Sequence, residues 1–398
     1  MRSIQIDRNG PASHKGVEMA RSIRQIVLEN AEANERERTL NKETVEALWK
    51  SGLMQFANPP EAGGAEPSIP EMIEVWEELA WQDGSMGWIG IANLPSAAFA
   101  AAYLPDEGFA EVFTAHDNRI TMGGQFAPNG QGQVSEGGYT ISGKWNFGSG
   151  TGHSEYVAAG FIPFRDGAPL MSEDGMPDLR VAIFPRDEIR FTDGWYVTGL
   201  KGTGSFDYEV EEVFVPEYRT YPLFTREPHR GGNVFRLGIM PITGAGHGSW
   251  ALGVSRSCLD DVVALAESKQ RMGDASTLAN KMTFQVGLAH HESMWRAAWC
   301  LLRDAHESVW ERIEAGADLT LAMRADLRMA ATYATEASRE VVQWAHLAAG
   351  TTAIREGSRL ERAFRDMYTG TQHAFIGEKT YVDSANVMLG LTDQLPGL

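Results

Sequence analysis

The sequence predicts an α+β fold: helices open the chain, short strands fill its middle, and long helices finish it. Three observations carry this reading. Near the N-terminus apolar residues recur at helical spacing, at Val17, Ala20, Ile23, Ile26 and Val27. From about Ile120 the period shortens to two, with Tyr139 and Ile141, then Trp145 and Phe147, alternating with polar residues. After Pro241 the helical period returns in segments too long to be strands. Two changes of period in 398 residues imply three packed units. These are an N-terminal helical domain over 1–118, a small β barrel over 119–228 and a C-terminal four-helix bundle over 229–398.

Taken in order, the spacing predicts a helix from Gly16 to about Asn34 and another over Thr44 to Leu53. The stretch Pro59-Pro60-Glu61-Ala62-Gly63-Gly64 cannot continue a helix and reads as a loop. Ser68 and Pro70 open the next helix, which runs through Trp81. Gly90, Asn93 and Pro95 interrupt the apolar run from Ile89 to Leu104, so it reads as two helices, Ser85 to Asn93 and Ser96 to Tyr103, rather than a membrane span. In the strand region Gly137-Gly138 and Ser142-Gly143 punctuate, Val181 to Phe184 and Val210 to Val215 form further strands, and the glycines of Gly199 to Ser205 suit a sheet corner. The closing helices are Trp250 to Met272, Leu278 to Ala315, Thr320 to Ala349, Arg355 to Tyr368 and Thr371 to Leu389. The last would hold His373 inside an otherwise apolar helical pattern.

Composition excludes several classes of function. A net charge of −18 repels a phosphate backbone, and no basic stripe offers an exception, so nucleic acid is not an expected partner. The opening residues Met1 to Arg8 lack an apolar leader, and no stretch approaches the roughly 18 apolar residues of a membrane span. A cytoplasmic location is the expectation. Cys258 and Cys300 lie in helical patterns without CxxC spacing and read as buried free thiols. No Rossmann or P-loop glycine motif and no GxSxG elbow occurs. His291-Glu292 begins an HExxH, but a second histidine is lacking because Trp295 stands in its place, so no metal site is expected.

The most specific stretch is Gly137-Gly138-Tyr139-Thr140-Ile141-Ser142-Gly143-Lys144-Trp145-Asn146-Phe147-Gly148-Ser149-Gly150. It resembles the Gly-Gly-Tyr...Ser-Gly-(Arg/Lys)-Trp-x-Phe-x-Ser-Gly sentence of flavin-dependent monooxygenases built on the acyl-CoA dehydrogenase fold. Asp83-Gly84-Ser85, Gly199-Leu200-Lys201-Gly202-Thr203 and Arg365-Asp366...Gln372-His373-Ala374 are similar to further segments of that group. The likeness covers nearly the whole chain. In the dehydrogenases a glutamate commonly stands eight residues after the Asp of the Arg-Asp pair; here that position is Ala374, which argues for oxygenation and against dehydrogenation.

The resemblance implies the oxygenase component of a two-component system. Reduced FMN or FAD would come from a separate flavin reductase, and a flavin C4a-(hydro)peroxide would hydroxylate or epoxidise a phenol- or indole-type aromatic. His373 would serve as acid or base, Ser149 would bond the flavin near N5, and Asn93 would line the substrate pocket. Trp145 would lie against the flavin, and Arg271 with Gly350, Thr351 and Thr352 would approach its phosphates or ribose, often across a subunit boundary. Trp88, Trp145, Trp250 and Phe375 are available to line an apolar pocket, and a homotetramer is implied. Taken singly these residues have plainer readings: a lone histidine on an apolar helix face is usually core, Gly-Ser-Gly is common turn chemistry, Gly350-Thr351-Thr352 is an ordinary helix end, and Arg271 suits a solvated surface. Two rival functions stay open: an acyl-CoA dehydrogenase or oxidase drawing its base from Glu356 or Glu361, and a catalytically idle binding protein of the same fold.

Overall fold

The computed structural model describes residues 14–172 and 175–395; the opening Met1 to Arg8 lies outside the described residues. The first periodic stretch is two helices, α1 (Lys15–Ser22) and α2 (Arg24–Glu37), because Ile23 leaves helical geometry between them. In α3 (Lys42–Ser51) the Asn41 side chain accepts the Thr44 N–H, and Gly52 ends the helix at φ +84°. A reciprocal Ser68–Glu71 capping box starts α4 (Ile69–Gln82).

The two helices expected around Pro95 are one, α5 (Gly84–Tyr103). Proline forfeits one backbone bond, but nearly every residue of α5 is buried, so packing on both sides overrides the local break. The Ser96 hydroxyl donates to the Ala92 carbonyl at 2.6 Å just beyond. A short α6 (Asp106–Val112) leads to the sheet.

The strands are β1 (Met122–Ser135), β2 (Gly138–Gly148), β3 (Tyr156–Arg165), β4 (Ala168–Pro169), β5 (Arg180–Pro185), β6 (Arg190–Thr192), β7 (Phe206–Pro216) and β8 (Thr220–Pro222). Their order is β6-β7-β2-β1-β3-β5-β8, with β4 beside β3, and only the β1–β3 pair is parallel. Although β5 and β7 are not neighbours in that order, they touch, so the sheet curls around a core of its own. Trp145, Phe161, Phe184 and Tyr208 fill that core, the first stacked on the last at 5.3 Å.

The C-terminal helices are α7 (Asn233–Arg236), α8 (Ile239–Ser268), α9 (Met282–Glu314), α10 (Leu321–Ala349), α11 (Arg359–Gly370) and α12 (Glu378–Met388). The central helix α8 packs on α4, α5, α9 and α10 and begins at Ile239, well before the expected Trp250. Pro241 and the glycines at 244, 246 and 248 weaken the local helix signal, yet close packing requires small residues there. A Cβ on Gly248 would meet Leu302 at 2.8 Å, and one on Gly253 would meet the Glu77 carbonyl oxygen at 2.3 Å.

The closing segment also differs from the expected helix Thr371 to Leu389. The chain turns after Gly370, passes through a 3-10 turn over Ala374–Ile376, and only then forms α12. His373 therefore sits on a turn, not on a helix face. Cys258 is buried as expected, but Cys300 faces outward on α9, where the alternating faces of a long surface helix leave it exposed. Among the described residues no helix is long and apolar enough to cross a membrane.

Candidate active site

The end of β2 places Ser149 where the sheet meets the N-terminal helices. Its carbonyl accepts the Gly124 N–H at 3.1 Å, and the next residue, Gly150 at φ +76°, donates to the Thr203 carbonyl at 3.0 Å. Backbone bonds on both sides thus fix where the hydroxyl points. Trp88, on α5, donates its indole N–H to Ser149 Oγ at 3.1 Å. An indole nitrogen can only donate, so Ser149 must accept, which leaves its own hydrogen for another group. The Ser205 hydroxyl stands 3.4 Å away.

Trp88 also joins this hydroxyl to the C-terminal bundle. Its ring lies edge-on to His247 at 5.1 Å, to Trp250 at 5.2 Å and to His373 at 5.9 Å. The two imidazoles are 4.3 Å apart, and Phe375 stacks on His373 at 5.2 Å. Arg328 of α10 holds the turn from the other side: its guanidinium donates to the Phe375 carbonyl at 2.7 Å and to Thr380 Oγ1 at 3.2 Å, and lies over the Phe375 ring. Burial pushes this guanidinium down to about 10, so it remains a cation at neutral pH.

His373 Nδ1 accepts the Phe375 N–H at 3.3 Å, which assigns the proton of the neutral ring to Nε2. Burial, and then the Arg328 charge, lower its pKa to about 4. At neutral pH His373 is thus a neutral Nε2–H donor. His247 is also held neutral, by burial first and then by His373 and Arg328. It is only 3% exposed, and its Nδ1 has no hydrogen-bond partner among the described residues. Sequence reading passed over His247, because Gly246-His247-Gly248 breaks the apolar period; the one available signal was a histidine set among glycines just before Trp250.

The Arg365-Asp366 pair pins the start of this turn to the other two units. Arg365 bridges Glu35 of α2 and Glu361, and donates to the Thr198 carbonyl. Asp366, fully buried, accepts the Leu200 N–H at 2.6 Å, while Asp83, which caps α5, pairs with Arg362 at 3.1 Å. Burial, then the nearby Asp83 charge, raise the Asp366 carboxyl to about 8. Glu361 is thus held by Arg365 and Glu356 is exposed; neither carboxylate takes part in the Trp88–His373 cluster.

Ser149 and His373 come together with Trp88, Trp250 and Phe375, but other expected residues lie elsewhere. Asn93 is 2% exposed and donates to the Met122 carbonyl at 2.8 Å and to Ser154 Oγ at 3.2 Å. It packs so tightly on the turn that a Cβ at Gly150 would fall 1.9 Å from its Oδ1. Asn93 thus positions the Ser149 turn through its amide N–H groups, while its Oδ1 has no hydrogen-bond partner among the described residues. Trp145 is fully buried in the sheet's core with its N–H on the Gly160 carbonyl, because strand alternation turns it inward; it presents no face to a flavin or a pocket.

Arg271, Gly350, Thr351 and Thr352 form a separate group where α8 and α10 end. Arg271 donates to the Ala348 carbonyl at 3.1 Å, Lys269 reaches Thr352 Oγ1 at 2.5 Å, and Gly350 turns the chain at φ +58°. Beside them is a groove of about 400 Å³ lined by Arg271, Lys281, Phe284, Trp344 and Leu347. Two cations beside hydroxyls and a glycine turn suit phosphate oxygens, and a free Ser149 hydrogen suits a ring acceptor, so these donor sets fit the two ends of a flavin nucleotide.

Known proteins resemble this chain along most of its length. Residues 15–104 match the acyl-CoA dehydrogenase N-terminal domain and residues 245–378 its C-terminal domain. An indole-3-acetate monooxygenase from Pseudomonas putida is 30% identical over 364 residues, which cover 91% of this chain and 90% of that protein. The oxygenase subunit of a flavin-dependent monooxygenase from Mycobacterium tuberculosis is 29% identical over 386 residues, covering 92% and 93%. The crystal structure of the 3-HSA hydroxylase from Rhodococcus sp. RHA1 has a TM-score of 0.90 at 25% identity and covers 97% of this chain and 100% of that one. The chain belongs to the flavin-dependent monooxygenases built on the acyl-CoA dehydrogenase fold.

Proposed function

We propose that this chain is the oxygenase component of a two-component flavin monooxygenase that hydroxylates or epoxidises an aromatic of phenol or indole type. The Trp88 bridge carries the reading: one indole connects Ser149 on the sheet to His247 and His373 on the bundle, in a setting lined by aromatic rings. Reduced FMN or FAD, when bound, supplies two electrons and activates O2, one atom of which enters the substrate while the other leaves as water. Ser149 would offer its hydroxyl hydrogen to a bound flavin ring, because Trp88 already donates to its oxygen. The Nε2–H of His373 donates a hydrogen bond toward the reacting oxygen or the substrate hydroxyl. Trp88, Trp250 and Phe375 exclude water, which would otherwise divert reduced flavin and O2 to hydrogen peroxide.

Arg271, Lys269 and the Gly350–Thr352 turn would hold the phosphate end of the flavin. Because they form a group separate from Ser149, we assign the two ends of one flavin to different protomers of a homotetramer in the cytoplasm. Light scattering at micromolar concentration tests the assembly; a monomer that still binds flavin contradicts it. The division of labour is tested with NADH. The pure chain should leave NADH untouched, and should oxygenate indole or a phenol once any flavin reductase is added. NADH turnover by the chain alone would overturn the reading.

A further inference from the structure

We propose that His247 determines specificity by hydrogen-bonding the ring N–H or O–H of the aromatic substrate, so that donor-bearing aromatics are taken over isosteres lacking the donor. This rests on the oxygenase reading of the same site. His247 is 97% buried, the complement of its 3% exposure, and its Nδ1 has no partner among the described residues. An unsatisfied polar atom at such depth destabilises the fold, and a native protein keeps one where a ligand or water completes the bond.

The surroundings of His247 point to a substrate as that partner. Trp88 lies at 5.1 Å, His373 at 4.3 Å and Phe375 at 6.1 Å from its ring, so the unpaired nitrogen belongs to the aromatic cluster that also holds Ser149 and His373. Burial first, and then the titratable groups His373 and Arg328, keep the ring unprotonated. The Nε2–H tautomer, the commoner form of free neutral imidazole, leaves Nδ1 as an acceptor, and an acceptor among aromatic rings matches an indole N–H or a phenol O–H. Among the described residues the Nε2 atoms of His153 and His306 also lack a partner, but each ring is tied at Nδ1, to Thr39 Oγ1 and to the Leu302 carbonyl. Flanking glycines let α8 bring the ring in close: a Cβ on Gly246 would stand 3.0 Å from Ile91.

The test compares indole with indene, which has the same shape and no N–H donor. Binding to the protein loaded with reduced flavin is measured by anaerobic calorimetry, and kcat/KM with a reductase and O2. His247→Phe should lower the indole-to-indene binding ratio by about 10- to 100-fold, the loss of one bond to a buried acceptor. The change should fall on KM more than on kcat, and His247→Gln, which keeps an acceptor oxygen, should restore part of the ratio. Where His247→Phe does not fold, His247→Met is read in its place. A ratio unchanged from wild type in a folded, flavin-binding variant would overturn the inference and leave the oxygenase reading intact. A wild-type protein that oxygenates neither compound nor any phenol would instead bring down the oxygenase reading on which the inference rests.

Discussion

Replacing Trp88 by Phe keeps an aromatic ring against His247 and His373 but removes the N–H that Ser149 Oγ accepts at 3.1 Å. The Ser205 hydroxyl, which already donates to the same oxygen at 3.4 Å, is too distant to make up for that bond. A neutral hydrogen bond contributes roughly 1 kcal/mol net, equivalent to about a fivefold change in a rate or ratio. Product formed per O2 consumed should therefore fall about fivefold in Trp88→Phe, with hydrogen peroxide making up the difference. Trp88 is 8% exposed, so the smaller ring also leaves a cavity and lowers stability by about 1–3 kcal/mol; the ratio must be read well below the melting range. A double-mutant cycle separates the causes. If Trp88 acts through Ser149, Trp88→Phe should add almost nothing in a Ser149→Ala background. Losses that multiply would refute the bridge.

His373→Ala should still bind reduced flavin, while product formation falls by roughly 10²- to 10⁴-fold as its hydrogen-bond donor is lost; normal turnover would make His373 a core residue. His306, 1% exposed with its pKa lowered to about 4 by burial, should make the fold acid-sensitive. Below about pH 6.5 the unfolded chain takes up a proton that the folded chain refuses, so this contribution is complete above pH 6.5 and is lost toward pH 4, up to about 3 kcal/mol. Urea midpoints at pH 7 and pH 4.5 should draw together in His306→Gln, and an undiminished gap would contradict the assignment. Gly253→Ala would drive a Cβ to 2.3 Å from the backbone oxygen of Glu77, and should destabilise by about 1–3 kcal/mol in denaturant; unchanged stability would mean that α4 and α8 are less tightly joined than they stand here.

The sequence was most legible where chemistry and period agree. Gly137 to Gly150 yielded both the strand and the turn that carries Ser149, because alternation and glycine punctuation are local properties. Where packing overrides local preference, reading failed. Pro95 lies inside a continuous helix, and the first turns of α8 were missed because their glycines serve contacts with α4, α5 and α9 that no window of sequence displays. That error also hid His247. Only the folded chain shows that Asn93 clamps Gly150 and that Trp145 faces the sheet's core, because neither packing partner is near in sequence. Arg271 and the Gly350–Thr352 turn do meet, through the Ala348 carbonyl and Lys269, although some eighty residues separate them.

The central claim is that this chain transfers one atom of O2 to an aromatic ring at the expense of reduced flavin. A single turnover tests it most directly: load the protein anaerobically with chemically reduced FMN or FAD, add indole or a phenol, admit 18O2, and weigh the product by mass spectrometry. One 18O atom per product molecule is expected, without NADH or reductase. Quantitative hydrogen peroxide with no labelled product, together with bleaching of oxidised flavin by an acyl-CoA, would contradict it and restore the dehydrogenase reading.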